Sequence, residues 1–247
     1  MKVLNGLDLF SGIGGLALAL APWVRPIIYC ERDRYCHAVL LSRMRQRELP
    51  SAPIWNDITS LRSTMLPRHG GIDIIYGGFP CQNISIAGDG AGLGGEHSSL
   101  FFELLRLARD IRPRFIFLEN VPAITHRGLE RILLEFTALG YDSRWTIVSA
   151  GELGAKHLRE RWFLLAHAVR AGLSVSGDVS TEASSYRGST RTPALSLVQN
   201  KVWNEALSDI RGMDDGLPVK IHRIRALGNA VVPIQAQVAF KRLMGLQ

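Results

Sequence analysis

Only three cysteines occur in 247 residues, and Cys30, Cys36 and Cys81 show no CxxC spacing. An odd, unpaired set argues against a disulfide framework and a structural zinc, and it suits a reducing cytoplasm. No metal is expected. No apolar stretch approaches the roughly 20 residues that span a bilayer, so no membrane partner is expected either. The amino terminus runs straight into Val3-Leu4-Asn5-Gly6-Leu7 without a basic region, apolar core and cleavage site, which speaks against secretion. Acids are in deficit: 22 Asp and Glu stand against 29 Lys and Arg, leaving a formal charge of +7. Nucleic acid is the natural polyanionic partner of such a surface, because phosphate contacts release counterions. A solvated positive face would have the same composition.

What is present is a globular pattern. Hydrophobic residues make up 47% of the chain, enough for a real core. Apolar runs at Val3–Leu9, Pro26–Cys30, Ile72–Gly77, Arg114–Leu118, Asp142–Ser149 and Trp162–Ala166 predict strands. Between them, Leu16–Ala21, Arg34–Arg47, Ser98–Ile111 and Leu129–Leu139 have helical spacing, with Ser98 as a cap for the third. This alternation predicts an α/β fold with a doubly wound, mostly parallel sheet. From about Val169 the texture changes, and residues 170–200 are rich in Ser, Thr and Gly without a clear period. Pattern returns near Trp203, and a last helix is expected over Pro233–Met244, opened by proline.

Two runs carry the chemistry. Gly77-Gly78-Phe79-Pro80-Cys81-Gln82 puts a thiol just past one strand, and Phe117-Leu118-Glu119-Asn120-Val121 puts a carboxyl at the end of another. In open α/β sheets that carboxyl edge is where ligands bind. A thiol and a carboxyl at one rim suit covalent activation of an electron-poor ring. A lone cysteine is more often an inert small hydrophobe, but Cys81 follows proline in a glycine-rich polar loop where packing gives no reason for a thiol. Nearer the start, Asp8-Leu9-Phe10-Ser11-Gly12-Ile13-Gly14-Gly15 lies between the first strand and first helix, where glycines permit close backbone approach to a ligand. The second strand ends in Cys30-Glu31-Arg32, which places a carboxylate within reach of two ribose hydroxyls. The turn lacks a full GxGxxG, which weakens a dinucleotide reading. Asp57 is either a helix cap or a partner for an exocyclic amine.

In order, FSGIGG (10–15), Glu31, Asp57, the PCQ loop (80–82), ENV (119–121), His157-Leu158-Arg159-Glu160-Arg161 and Gly228-Asn229-Ala230-Val231-Val232-Pro233 resemble the C5-cytosine DNA methyltransferase family. The resemblance covers about residues 3–167 and 220–245. It implies a Rossmann-like S-adenosylmethionine-dependent methyltransferase fold and double-stranded DNA as partner. S-adenosylmethionine would be the cofactor, leaving as S-adenosylhomocysteine, with a flipped cytosine as target. It assigns the nucleophilic thiolate to Cys81, contact with cytosine N3 to Glu119, and the base oxygen to Arg159 and Arg161. Cofactor contacts are implied for Asp8, Phe10, Ser11, Gly12, Gly14, Gly15, Glu31, Arg32, Asp57, Ile58, Gly78, Pro80, Asn229 and Ala230. Asn120 would orient the PCQ loop, and Gln82 and Ser85 would grip the opened duplex. His157 departs from the family's usual glutamine.

These implications divide the chain into a catalytic and cofactor-binding domain (1–167), a reduced target-recognition region (168–219) and a C-terminal segment returning to the catalytic domain (220–247). Oligomeric state is not readable. Compact forms of this kind resemble phage-borne enzymes that shield DNA from restriction. The same catalytic parts suit an RNA cytosine-C5 methyltransferase, and a non-catalytic nucleic-acid-binding module could keep the fold.

Overall fold

A computed structural model describes residues 2–67, 71–80, 99–155, 157–169 and 230–246. In chain order the elements are β1 (Leu4–Leu9), α1 (Gly15–Leu20), β2 (Val24–Cys30), α2 (Arg34–Arg45), β3 (Ile54–Trp55), β4 (Ile74–Gly78) and α3 (Ser99–Ile111). There follow β5 (Phe115–Asn120), α4 (Ile124–Arg127), α5 (Leu129–Ala138), β6 (Tyr141–Ser149), β7 (Glu160–Ala168) and α6 (Pro233–Met244). The seven strands form one sheet in the order β3-β2-β1-β4-β5-β7-β6. Neighbours are parallel from β3 through β5, and β7 runs antiparallel to both β5 and β6. The doubly wound, mostly parallel architecture expected from the sequence is therefore what forms.

Alternation along the strands sorts the core into two layers. Leu7, Leu9, Ile28, Cys30, Ile75, Ile116, Leu118, Leu164 and Ala166 face one side, against Leu104, Leu107 and Ala108 of α3 and Ile132 and Phe136 of α5. Leu4, Tyr29, Ile74, Tyr76, Phe117, Phe163 and Leu165 face the other, against Leu16 and Leu20 of α1, Leu40 of α2 and Ala236 and Phe240 of α6. Burial on both faces explains why these strands read as continuous apolar runs. Trp162, with no exposed surface, anchors the first layer, and its truncation to alanine would cost about 3–5 kcal/mol.

The local chemistry of each terminus is visible. Asp33 caps α2 by accepting from Tyr35 N at 2.8 Å and Cys36 N at 3.2 Å. Helix α6 starts on Pro233 and stops at Gly245 in the left-handed region. The expected Ser98 cap of α3 falls outside the described residues. Strand β2 begins at Val24, before the expected Pro26, because the register with β1 slips between Gly6 and Leu7. That irregularity accommodates a residue with no N–H to donate. The two-residue β3 and four-residue α4 are additions to the expected elements. Among the described residues no helix is long and apolar enough to cross a membrane.

Candidate active site

The strand order reverses at β1, between β2 and β4, and a cleft of about 940 Å³ opens there at the carboxyl edge of the sheet. Its described walls come from the β1–α1 turn (Phe10 to Gly12), the end of β2 (Cys30 to Arg32), the α2 amino terminus (Asp33 to Cys36) and Asn56 to Ile58. Ile13, Gly15, Leu16, Gly78, Pro80, Leu100, Glu119, Ala230 and Val231 complete them.

The turn after β1 is tightly set. Phe10 has φ of 55°, a left-handed conformation costing a non-glycine residue about 1–2 kcal/mol. Gly14 (φ 86°) follows as the residue preceding α1. Arg43, on α2, donates to the Ile13 carbonyl at 2.7 Å and braces the turn from behind. Glu31 holds it from the front: its carboxylate accepts from Gly12 N at 2.7 Å and from Arg32 N and Asp33 N at 2.8 Å. The His37 ring bonds the Glu31 carbonyl, fixing this residue from both ends. A carboxylate bound by three main-chain donors is rigid and keeps lone pairs for a ligand's hydroxyls. Asp57 accepts from Thr59 N at 2.9 Å, and this bond holds its carboxyl below the usual range. It thus closes a turn, and Trp55 behind it packs on the core while donating to Ser60 at 2.9 Å.

Glu119 reaches the cleft from the end of β5. It is 9% exposed, and burial pushes its carboxyl up to about 7 against the opposing pull of Arg161 and Arg159. Arg161 Nε lies 2.9 Å from Glu119 Oε1. In the parallel register Glu119 pairs with Gly78 of β4. A Cβ at Gly78 would fall 2.6 Å from Glu119 Oε2, so the absence of a side chain there makes room for the carboxyl. Asn120 donates to the Phe79 carbonyl at 2.9 Å and accepts from Val121 N at 2.8 Å, which ties the end of β4 to the end of β5. Two residues beyond Phe79 the chain reaches Cys81.

Most of the expected site residues come together. Phe10, Ser11, Gly12, Gly15, Glu31, Arg32, Asp57, Ile58, Gly78, Pro80, Glu119 and Ala230 share the cleft. Gly14 does not line it and instead packs toward Leu49 and Leu40, and Asp8 is fully buried. In register Asp8 pairs with Tyr29 and Tyr76, and burial raises its carboxyl well above the usual range. Arg159 stands just ahead of β7 and donates to the Ala230 carbonyl at 2.7 Å, whereas Arg161 turns to Glu119. Cys81, Gln82, Ser85 and Asn229 lie outside the described residues. Sequence reasoning had not included Ile13, Leu16, Asp33, Tyr35, Cys36, Leu100 or Val231 in the cleft. For the α2 residues the capping aspartate directly after Glu31-Arg32 was the available signal.

A sequence profile described as C-5 cytosine-specific DNA methylase matches residues 4–215. The chain is 28% identical over 239 residues to the type II methyltransferase M.CviJI of Paramecium bursaria Chlorella virus IL3A, covering 96% of this chain and 58% of that protein. It is 33% identical over 172 residues to M.HhaI of Haemophilus parahaemolyticus, covering 66% and 50%. The chain thus spans about half the length of the curated relatives it matches. Among solved structures, an E. coli prophage-encoded protein assigned as a DNA modification methyltransferase superposes with a TM-score of 0.55 at 26% identity, over 67% of this chain and 47% of that one. Spodoptera frugiperda DNMT2 shares the fold at 16% identity, with a TM-score of 0.56 over 71% and 53%. The chain belongs to the C-5 cytosine-specific DNA methylase family.

Proposed function

We propose that this family member transfers a methyl group from S-adenosylmethionine to C5 of a cytosine flipped out of double-stranded DNA, through a covalent adduct on Cys81. The observation that carries the reading is Glu119: a buried carboxyl with a pKa of about 7, held by Arg161 at 2.9 Å, beside the start of the loop that bears the thiol.

The cleft fits the cofactor on its own chemistry. Glu31, pinned by three backbone N–H groups, offers the ribose a rigid acceptor. Phe10, Ile58 and Leu100 supply apolar surface for a purine, with Asp57 at its edge, and the glycine turn with Ala230 and Val231 leaves room at the other end. Ser11, Gly12, Gly15, Arg32, Gly78, Pro80 and Asn229 belong to this reading as cofactor neighbours. Bound there, S-adenosylmethionine supplies an electrophilic methyl group on a sulfonium.

Cytosine C5 is a poor nucleophile until a thiolate adds at C6. Cys81 makes that addition, with Arg159 and Arg161 favouring the thiolate and holding the base oxygen. Glu119, half-protonated near neutrality, donates to N3 as the thiolate adds and removes charge from the ring. C5 then takes the methyl group, a base removes its proton, and the Cys81 thiolate leaves. Asn120 keeps the thiol's loop in place through the Phe79 carbonyl. Extruding the base costs a few kcal/mol, which Gln82 and Ser85 offset by filling the opened duplex. In this reading residues 168–219 read the target sequence, and the role is to shield DNA from restriction.

The test is tritiated S-adenosylmethionine incubated with unmethylated DNA, in parallel with tRNA, using wild type and Cys81→Ala, followed by digestion to nucleosides. Label in deoxy-5-methylcytidine from wild type alone supports the reading. Label confined to the tRNA arm replaces DNA by RNA, and label retained in Cys81→Ala removes the nucleophile.

A further inference from the structure

The carboxyl-terminal helix reaches back into the site through one side chain. Gln235, in the first turn of α6, has no exposed surface. Its Nε2 donates to the Val148 carbonyl at 2.9 Å, at the end of β6, and to the Arg159 carbonyl at 2.7 Å. Both neighbours are carbonyl oxygens, so the amide nitrogen must face them. Arg159 in turn donates from its guanidinium to the Ala230 carbonyl at 2.7 Å, five residues before Gln235. A loop of interactions results, from α6 to the main chain of Arg159, along its side chain to Ala230, and back to α6.

The same short segment forms a wall of the cleft. Ala230 and Val231 line it, and the Val231 carbonyl lies against Gly15, where a Cβ would be only 3.0 Å away. Helix α6 is itself fixed, since Phe240 packs edge-on to Phe117 of β5 at 5.2 Å and against Trp23 at 5.3 Å. The Arg159 carbonyl lies where the β6–β7 ladder opens, the last pair being Ser149 with Glu160. There Ala150 N, just past β6, divides its bond between the Leu158 carbonyl at 3.0 Å and the Arg159 carbonyl at 3.4 Å, and the side chain from a third element makes the shorter bond to Arg159.

We infer that Gln235 is a positioning residue, setting the place of Arg159 and, through the Ala230 carbonyl, joining the arginine at the base pocket to the cofactor wall. This rests on the proposed methyl transfer, in which Arg159 faces the cytosine and Ala230 the cofactor. A buried glutamine that only filled space would be replaceable by an apolar residue of similar size. One that holds Arg159 is not, and its effect must pass through that arginine.

The experiment is a double-mutant cycle. Gln235→Leu and Gln235→Met remove both hydrogen bonds while keeping volume. Each is made in wild type and in Arg159→Ala, and kcat on DNA is measured beside the S-adenosylmethionine Kd from equilibrium dialysis. The expected result is a fall in kcat of about tenfold or more in wild type and under about twofold in Arg159→Ala, with the same non-additivity in Kd. Equal losses in both backgrounds would overturn the inference, as would failure of both variants to fold, which would make Gln235 a core residue. If wild type binds the cofactor but methylates no cytosine, the proposed reaction fails by itself. The Kd cycle then decides the brace, non-additivity supporting it and additivity overturning it. Wild type that binds no S-adenosylmethionine overturns both.

Discussion

Replacing Arg161 by methionine keeps an apolar stem and deletes the cation 2.9 Å from Glu119. The consequence depends on pH in a way the structure specifies. An unfolded glutamate titrates near 4.5, and burial raises Glu119 to about 7 in the fold, with Arg161 the largest opposing influence. Between these values the folded state holds a proton that the unfolded state has shed. Wild-type stability therefore falls as pH rises through that window, by up to about 1.4 kcal/mol per unit, and flattens above it. Without Arg161 the carboxyl titrates higher still, so the variant continues to lose stability beyond pH 7. At pH 6 Glu119 is mainly neutral in both proteins, and the difference is that of an ordinary hydrogen bond, about 1 kcal/mol. Two units above the wild-type pKa the gap approaches about 3 kcal/mol, in line with the cost of breaking a buried pair. For a domain of this size that is a loss of about 6–12 °C in Tm. Thermal melts of wild type and Arg161→Met from pH 6 to pH 9 measure it directly, with Glu119→Gln as the background in which the added pH dependence must vanish. A Tm difference that is the same at pH 6 and pH 9 would refute the reasoning.

Glu31→Ala removes an acceptor used by Gly12, Arg32 and Asp33, so cofactor affinity should drop by about tenfold or more while DNA affinity is unchanged. Calorimetric and filter-binding titrations check it, and the reverse pattern would overturn the site layout. Gly78→Ala should retain the fold yet displace the Glu119 carboxyl, lowering kcat by about a hundredfold, since the new Cβ meets Oε2 at 2.6 Å. Gly77→Ala, one residue earlier, should instead fail to fold, because its Cβ would sit 2.2 Å from the Leu9 carbonyl; circular dichroism and turnover separate the two. Asn120→Ala frees the Phe79 carbonyl and should cost about tenfold in kcat with the cofactor Kd unmoved, read by the same turnover and dialysis assays.

How much of this was legible follows from the range over which each feature is determined. Strands buried on both faces declare themselves by composition, and β1, β4, β5 and β7 lie where their apolar runs predict. The two residues of β3 carry no period, and β2 begins before Pro26 because a slipped register, invisible in one strand alone, takes the proline in. Glu119 stood out since nothing in packing asks for a carboxylate after Phe115-Ile116-Phe117-Leu118. Its titration near 7 was not legible, because desolvation comes from elements that converge only in the fold. Asp8 was within reach of simple parity: Leu7 and Leu9 share one face of β1, so the side chain between them must enter the opposite layer, where Tyr29 and Tyr76 are its cross-strand neighbours. The braces were beyond any local pattern. Arg43 reaches across 30 residues to Ile13 and Gln235 across 76 to Arg159, and each is bonded to a main-chain carbonyl, which any residue type supplies. A side chain recognising a carbonyl leaves no complementary letter at the far end. Such contacts are readable only once topology has brought their elements together, and in this chain they hold the two ends of the cleft.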